Sequence, residues 1–185
     1  MRITGGILGG RILKVPKTDE IRPTQDRVRE AVFNILQSEI AGADFLDLFA
    51  GSGAVGLEAL SRGAATATFV EQNRRHLAVL KENLALLKVT SAATHAADVY
   101  RFIASYAGNG FSMVFADPPY ALGEERGYAS VLTTLGERGV VRPNGLFIAE
   151  MTAVQRPEET PGWELIRDRT YGKTRICIWR RKETT

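Results

Sequence analysis

Hydrophobic and polar positions along residues 44–150 follow two periods, one typical of strands and one typical of helices. Short apolar runs predict β-strands, and apolar residues three and four positions apart predict helices between them. The predicted strands are 45–49, 66–71, 92–96, 112–116 and 146–150, and the predicted helices are 55–61, 74–87, 99–106 and 129–137. Because this alternation is typical of βαβ units, it predicts an α/β fold with a parallel sheet and crossover helices.

The two ends of the chain depart from this alternation. Residues 1–23 combine glycine pairs with short aliphatic stretches and predict a β-hairpin or extended arm, an appendage that we call the arm. Apolar residues at helical spacing predict a helix from Asp26 to Ile40. Two strand-like stretches over 163–171 and 175–181 predict an antiparallel hairpin at the end of the sheet.

Length and composition narrow the class of protein. The chain has 185 residues, 44% of them hydrophobic and 24% charged, which predicts one domain over residues 1–185. Its apolar runs are far shorter than the roughly 20 residues that span a membrane. No secretory signal is recognisable at the N-terminus, so we expect a cytoplasmic protein. One cysteine, Cys177, and two histidines predict neither a disulfide nor a metal site.

The charge is distributed unevenly along the chain. The net charge is only +3, but residues 1–29 and residues 163–185 each contain seven basic and three acidic residues. If these ends meet on one face, they form a patch for a polyanion such as a nucleic acid. The alternative is two solvated surface stretches that bind no partner.

A glycine loop follows the first strand of the α/β region. Gly51, Gly53 and Gly56 fit the pattern G-x-G-x-x-G at a strand-to-helix turn, where the backbone can approach a ligand closely. The pattern alone is also compatible with a dinucleotide enzyme or with a purely structural turn. A ligand-binding loop is therefore one of three interpretations at this point.

Three acidic residues near the loop favour a nucleoside ligand. Glu71, 20 residues after Gly51, stands where a carboxylate accepts hydrogen bonds from both ribose hydroxyls. Asp47 suits the cationic amino-acid end of S-adenosylmethionine, whereas it would repel a pyrophosphate. Asp98 suits the amino group of an adenine, and it can equally cap a helix. Glu71 does not distinguish between nucleoside ligands, whereas Asp47 and Asp98 favour S-adenosylmethionine over NAD.

The segment Asp117-Pro118-Pro119-Tyr120 follows a predicted buried strand. An exocyclic amine on a base is a poor nucleophile because its lone pair is delocalised into the ring. If Asp117 and the main-chain carbonyl of Pro118 accept its two N–H bonds, the lone pair turns toward an electrophilic methyl group, and Tyr120 stacks on the base. The alternative is that the two prolines merely end the strand. Cys177, far along the chain, is not expected to act as a nucleophile.

Together these motifs resemble the class I S-adenosylmethionine-dependent methyltransferases, and within them the bacterial RsmD-type 16S rRNA (guanine-N2)-methyltransferases. The more specific features of the resemblance are the helix entry Arg22-Pro23-Thr24 and the turn Ser61-Arg62-Gly63-Ala64. It covers nearly the whole chain. It implies a Rossmann-like, seven-stranded, mostly parallel sheet with one antiparallel strand and an N-terminal β-hairpin arm.

The resemblance also implies a reaction, partners and site residues. The cofactor is S-adenosylmethionine, and the substrate is one guanine of 16S rRNA in the small ribosomal subunit or its assembly intermediate, with no metal or membrane and with the enzyme as a monomer. The implied catalytic residues are Asp117, Pro118, Pro119 and Tyr120. The implied cofactor-binding residues are Asp47, Phe49, Gly51, Ser52, Gly53, Glu71 and Asp98. The residues expected to hold RNA phosphates are Arg2, Arg11, Lys14 and Arg22.

Other functions are alternatives to this methyltransferase activity. The nearest is amine methylation of adenine N6 in DNA or RNA, or of a protein glutamine, although glutamine enzymes usually have Asn in place of Asp117. An NAD-dependent dehydrogenase needs a substrate domain and a proton-handling residue near the nicotinamide, and the sequence shows neither. An RNA-binding protein that has lost catalysis predicts damage to Asp117 or to the glycine loop, and both are intact.

Overall fold

The computed structural model describes residues 1–16, 24–118 and 128–183. Its helices are α1 (Thr24–Leu36), α2 (Ala54–Ser61), α3 (Arg74–Leu86), α4 (Val99–Ala104) and α5 (Tyr128–Glu137). Its strands are β1 (Asp44–Leu48), β2 (Thr66–Val70), β3 (Ala92–His95), β4 (Phe111–Ala116), β5 (Val141–Thr152), β6 (Trp163–Tyr171) and β7 (Thr174–Arg181). Every strand and helix predicted from the hydrophobic pattern therefore has a counterpart in the structure.

The strands of the described residues form one seven-stranded sheet in the order β3-β2-β1-β4-β5-β7-β6. The pairs β1–β2, β2–β3 and β4–β5 are parallel, whereas β7 is antiparallel to both β5 and β6. The predicted mostly parallel sheet with one antiparallel strand is thus confirmed. The chain divides into two compact units, Met1–Asp98 and Val99–Thr185.

In the first unit, β1, β2 and β3 carry the glycine loop and helices α1 to α3. Helix α2 has buried residues at seven of its eight positions, which explains why its sequence is apolar on nearly all sides. Helix α1 ends at Leu36 instead of the predicted Ile40, because the N–H groups of Glu39 and Ile40 both turn back to the Leu36 carbonyl. Ile40 is nevertheless buried, so its hydrophobic position was recognised correctly.

The described part of the arm, residues 1–16, packs within the first unit. Ile3 and Leu13 are 1% and 3% exposed and belong to the hydrophobic core, while Ile7 and Ile12 are exposed. The arm contains an isolated antiparallel bridge between Arg2 and Ile12, so the predicted β-hairpin is not confirmed as a pair of strands. Although the sequence suggests an appendage, the arm contributes side chains to the core.

The second unit contains β4 to β7 and helices α4 and α5. Phe147, Trp179 and Tyr128 form an aromatic cluster, with the Tyr128 and Trp179 rings stacked at 6.4 Å between centroids. Strand β5 begins at Val141, five residues before its predicted start. The sequence Pro143-Asn144-Gly145 is typical of a turn, but the structure accommodates it within the strand, beside a register shift in the pairing with β4.

Among the described residues, no helix is long and apolar enough to cross a membrane. The same part of the chain holds no group of three or more His, Cys, Asp or Glu side chains suited to a metal ion.

Candidate active site

The glycine loop begins where β1 ends. Phe49 has a φ of 62°, which is unusual for a residue with a large side chain, and Gly51 and Gly53 have φ values of 55° and 81°. Gly53 is the N-cap residue of α2. The backbone therefore turns sharply through left-handed conformations between the strand and the helix.

The three glycines of the loop serve different steric purposes. A Cβ atom on Gly53 would lie 2.2 Å from Cδ1 of Leu80, and one on Gly56 would lie 2.3 Å from Cε1 of Phe69. A Cβ atom on Gly51 would meet nothing within 4 Å. Gly53 and Gly56 are thus required by packing, whereas Gly51 leaves open space through which a ligand can approach the backbone.

Asp47 lies beneath the loop and is only 2% exposed. Its Oδ2 accepts a hydrogen bond of 2.9 Å from the N–H of Gly56, the third residue of α2. Since Gly53 has no side chain to cap the helix, Asp47 supplies the cap from the neighbouring strand. Burial raises the pKa of Asp47 from 3.8 to about 7, and the nearby charge of Glu71 adds to this effect.

Glu71 follows β2 and holds the other side of the loop. Its Oε2 accepts a 2.8 Å hydrogen bond from the N–H of Gly51, and its Oε1 accepts a 2.7 Å hydrogen bond from the N–H of Asn73. Each carboxylate oxygen has a further lone pair. Glu71 thus fixes the loop and can still accept hydrogen bonds from the hydroxyls of a ribose.

Asp98 lies half-buried between β3 and α4. Because β1, β2 and β3 are parallel neighbours, their carboxyl ends, and with them Asp47, Glu71 and Asp98, belong to the same edge of the sheet. Ligands of open α/β sheets bind at this edge. The open side of Gly51 and these acids fit a ligand that combines a cationic group with a nucleoside.

In the second unit, Asp117 and Pro118 directly follow β4 and are half-buried. The half-buried Tyr128 side chain donates a hydrogen bond of 2.8 Å to the main-chain carbonyl of Glu150. Burial raises the pKa of Tyr128, and the charge of nearby Asp117 raises it further, so this hydroxyl stays protonated. Pro119 and Tyr120, also expected to be catalytic, lie outside the described residues.

The residues expected to bind RNA lie on the arm. Arg2, Arg11 and Lys14 are exposed, as a phosphate contact requires. The ammonium group of Lys14 forms an ion pair of 2.9 Å with Glu82 on α3, which RNA binding would have to exchange for a phosphate. Arg22 lies outside the described residues.

Two buried polar side chains that hold the arm, Glu58 on α2 and Asn83 on α3, were not predicted from the sequence. Both are 0% exposed. Glu58 accepts hydrogen bonds from the main chain and hydroxyl of Thr4 at 2.7 Å each, and Asn83 bonds to the main chain of Lys14. A signal for Asn83 was present, because it continues the helical spacing of the buried Leu77 and Leu80.

The chain is similar to known proteins along most of its length. The model of the family described as conserved hypothetical protein 95 matches residues 1–180. Ribosomal RNA small subunit methyltransferase D of Escherichia coli K12 is 38% identical over 185 residues, which cover 98% of this chain and 90% of the relative. The protein of the same name from Haemophilus influenzae is 36% identical and is covered to 89%, with 93% of this chain aligned.

Among solved structures, the yhhF protein of Escherichia coli superposes with a TM-score of 0.87 at 38% identity, with 98% of each chain covered. The resemblance identified from the glycine loop, the Asp-Pro-Pro-Tyr segment and the family-specific turns is therefore confirmed. The chain belongs to the family described as conserved hypothetical protein 95, together with the ribosomal RNA small subunit methyltransferases D.

Proposed function

We propose that this protein transfers a methyl group from S-adenosylmethionine to the exocyclic N2 amine of a guanine in 16S rRNA. The observation that carries the proposal is the 38% identity to ribosomal RNA small subunit methyltransferase D along 98% of the chain. The glycine loop and Asp117 supply the residue types that this reaction requires. We further propose that residues 1–185 act as one methyltransferase domain and as a monomer.

The first unit supplies the cofactor site. Glu71 accepts hydrogen bonds from the ribose hydroxyls, Asp98 accepts one from the adenine amine, and Asp47 faces the cationic amino-acid end. Gly51 lets the loop backbone approach the ligand, with Phe49, Ser52 and Gly53 shaping the loop around it. When bound, S-adenosylmethionine supplies an electrophilic methyl group.

The segment that follows β4 activates the guanine amine. Asp117 and the carbonyl of Pro118 accept the two N–H bonds of N2, which directs the nitrogen lone pair toward the methyl carbon. Asp117 would stabilise the positive charge that develops on N2 as it takes up the methyl group, and its carboxylate would accept the proton that N2 then releases. Pro119 keeps the turn rigid, and Tyr120 stacks on the base.

The arm holds the RNA while the pocket accepts one extruded base. Arg2, Arg11, Lys14 and Arg22 contact phosphates, which position the RNA without reading its sequence. The substrate is the small ribosomal subunit or an assembly intermediate of it. Such a substrate places the reaction in the cytoplasm.

The test uses S-adenosylmethionine with a labelled methyl group. The purified protein is offered naked 16S rRNA and small subunits from cells that lack the modification, and the methylated nucleoside is identified after digestion. We expect label in N2-methylguanine, with the better substrate showing whether a folded particle is needed. Label in N6-methyladenine would move the activity to another base, and no label in either RNA would contradict the proposal.

The variant Asp117→Ala tests the mechanism within the same assay. We expect a loss of at least about 100-fold in methyl transfer, because a positioned catalytic group contributes on this scale, with affinity for S-adenosylhomocysteine retained. The matched control is Glu164→Gln, which removes an exposed acid on β6 of the same unit. Near-normal activity of Asp117→Ala would contradict the proposed activation of the amine.

A further inference from the structure

Asn83 is a fully buried polar side chain that joins two segments distant in the sequence. Its Nδ2 donates hydrogen bonds to the carbonyl of Lys14 at 3.0 Å and to the carbonyl of Ser52 at 2.9 Å. Its Oδ1 accepts a hydrogen bond of 2.9 Å from the N–H of Lys14. One amide group therefore pairs with the arm as a neighbouring strand would, and at the same time holds the glycine loop.

The hydrogen bond from Asn83 reaches the glycine loop at Ser52, next to the backbone that a ligand can approach. Ser52 stands between Gly51, whose open side faces no neighbour within 4 Å, and Gly53, the N-cap of α2. A second contact joins the same two segments, because the Ser52 hydroxyl lies 3.7 Å from the sulfur of Met1. A ligand that contacts the loop backbone therefore lies next to Ser52, and the Asn83 side chain links Ser52 to the arm by hydrogen bonds.

On the arm, Asn83 is hydrogen-bonded to Lys14, which lies among the basic residues expected to bind RNA. Lys14 and Arg11 lie close together along the arm, and Arg2 forms an antiparallel bridge with Ile12. Ordering the backbone at Lys14 therefore also limits the freedom of the neighbouring cations. Fixing one of two linked segments lowers the entropy cost of fixing the other, which makes their ligands bind cooperatively.

We propose that Asn83 is a positioning residue that couples the glycine loop to the arm, so that the cofactor and the RNA bind with positive cooperativity. The inference rests on the proposed function, since it takes the loop to bind S-adenosylmethionine and the arm to bind RNA. The coupling is reciprocal, because each ligand must raise the affinity for the other by the same factor.

The experiment measures the dissociation constant of a 16S rRNA transcript with and without saturating S-adenosylhomocysteine. For the wild-type chain we expect RNA binding to become at least about fivefold tighter with the cofactor product present, at the lower end of typical coupling. For Asn83→Ala we expect the two constants to agree within about twofold. Hydrogen exchange of the Lys14 amide supplies a second readout, which S-adenosylhomocysteine should slow in the wild-type chain alone.

Because Asn83→Ala alters a buried position, a second pair of variants tests the link from the arm. Lys14→Pro removes the N–H that Asn83 accepts, whereas Lys14→Ala keeps that N–H and removes the side chain. Both should bind RNA more weakly, but Lys14→Pro should lose the coupling and Lys14→Ala should keep it. Glu82→Ala, which breaks the ion pair with Lys14, should also keep the coupling.

The possible outcomes separate this inference from the proposed function. If S-adenosylhomocysteine leaves RNA binding of the wild-type chain unchanged, or if coupling persists in both Asn83→Ala and Lys14→Pro, the inference is wrong and the proposed function stands. If the wild-type chain binds neither S-adenosylhomocysteine nor RNA, the proposed function fails, and the inference fails with it.

Discussion

Among single residues, Asp47 has a buried carboxyl group with two roles. It caps α2 through the N–H of Gly56, and it is proposed to face a cationic ligand. Without that ligand, burial raises its pKa to about 7, so near neutral pH a large fraction of Asp47 is protonated. A bound cation favours the ionised form, which ties ligand affinity to the protonation of this group.

The affinity for S-adenosylhomocysteine should therefore depend on pH. Below pH 7 Asp47 must give up a proton before it can pair with the cation, so affinity should fall as pH is lowered through 7, by up to about tenfold per pH unit. Calorimetric titrations between pH 5.5 and 8 measure this slope, the change of the dissociation constant per pH unit. Asp47→Asn keeps an oxygen for the N–H of Gly56 but cannot ionise, and an unchanged slope in this variant would assign the effect to another group.

Among the secondary-structure elements, Glu58 links α2 to the arm by accepting hydrogen bonds from Thr4. Besides Thr4, it accepts hydrogen bonds from Arg62 at 2.8 Å and Arg29 at 3.4 Å. Burial by itself raises the pKa of Glu58, but these hydrogen bonds and positive charges outweigh burial and hold the pKa below its ordinary value of 4.5. Arg29 also donates to the Arg2 carbonyl, so one charged cluster links α1, α2 and the arm.

Glu58→Ala should destabilise the protein by about 1–3 kcal/mol, because the N–H of Thr4 loses its acceptor and the buried Arg29 loses one of its two carboxylate partners, keeping Asp26. Urea unfolding at pH 7 measures the loss. The stabilisation is present above pH 4.5 and is lost as pH falls through the lowered pKa of Glu58, so wild type and variant should converge in acid. Glu30→Ala, at an exposed position of α1, is the control and should change stability by less than about 0.5 kcal/mol.

The ends of some strands differ from their predicted positions, because a local turn signal competes with pairing between strands. The start of β5 was missed because Pro143-Asn144-Gly145 signals a turn, whereas pairing of Val141 with Phe111 continues the strand beyond it. Strands β6 and β7 were placed closely, since their boundaries depend on a local turn at Gly172, which has a φ of 60°. Local patterns therefore identified each element, and partners distant in sequence determined some of its ends.

At the scale of the whole molecule, the two compact units raise the question of whether the chain unfolds as one domain. We expect one transition in scanning calorimetry, with its midpoint raised by S-adenosylhomocysteine. At 100 times the dissociation constant a ligand adds about 2.7 kcal/mol to the stability of the state that binds it. Two transitions, with only one raised by the ligand, would instead assign each unit its own domain. Above pH 7, where Asp47 is mostly ionised, NAD should raise neither midpoint, because the carboxylate would repel its pyrophosphate.

The alternation of strands and helices, the glycine loop, the segment that begins at Asp117 and the family could all be predicted from the amino-acid sequence, because they depend on residues close together in the chain. Only the tertiary structure decided which polar side chains hold the arm and how Asp47 titrates. Glu58 meets Thr4 across 54 positions and Asn83 meets Lys14 across 69, so local periodicity gives no direct evidence of either contact. The pKa of Asp47 likewise depends on how much of the folded protein excludes water from it, and that is settled only when the loop packs against the strands.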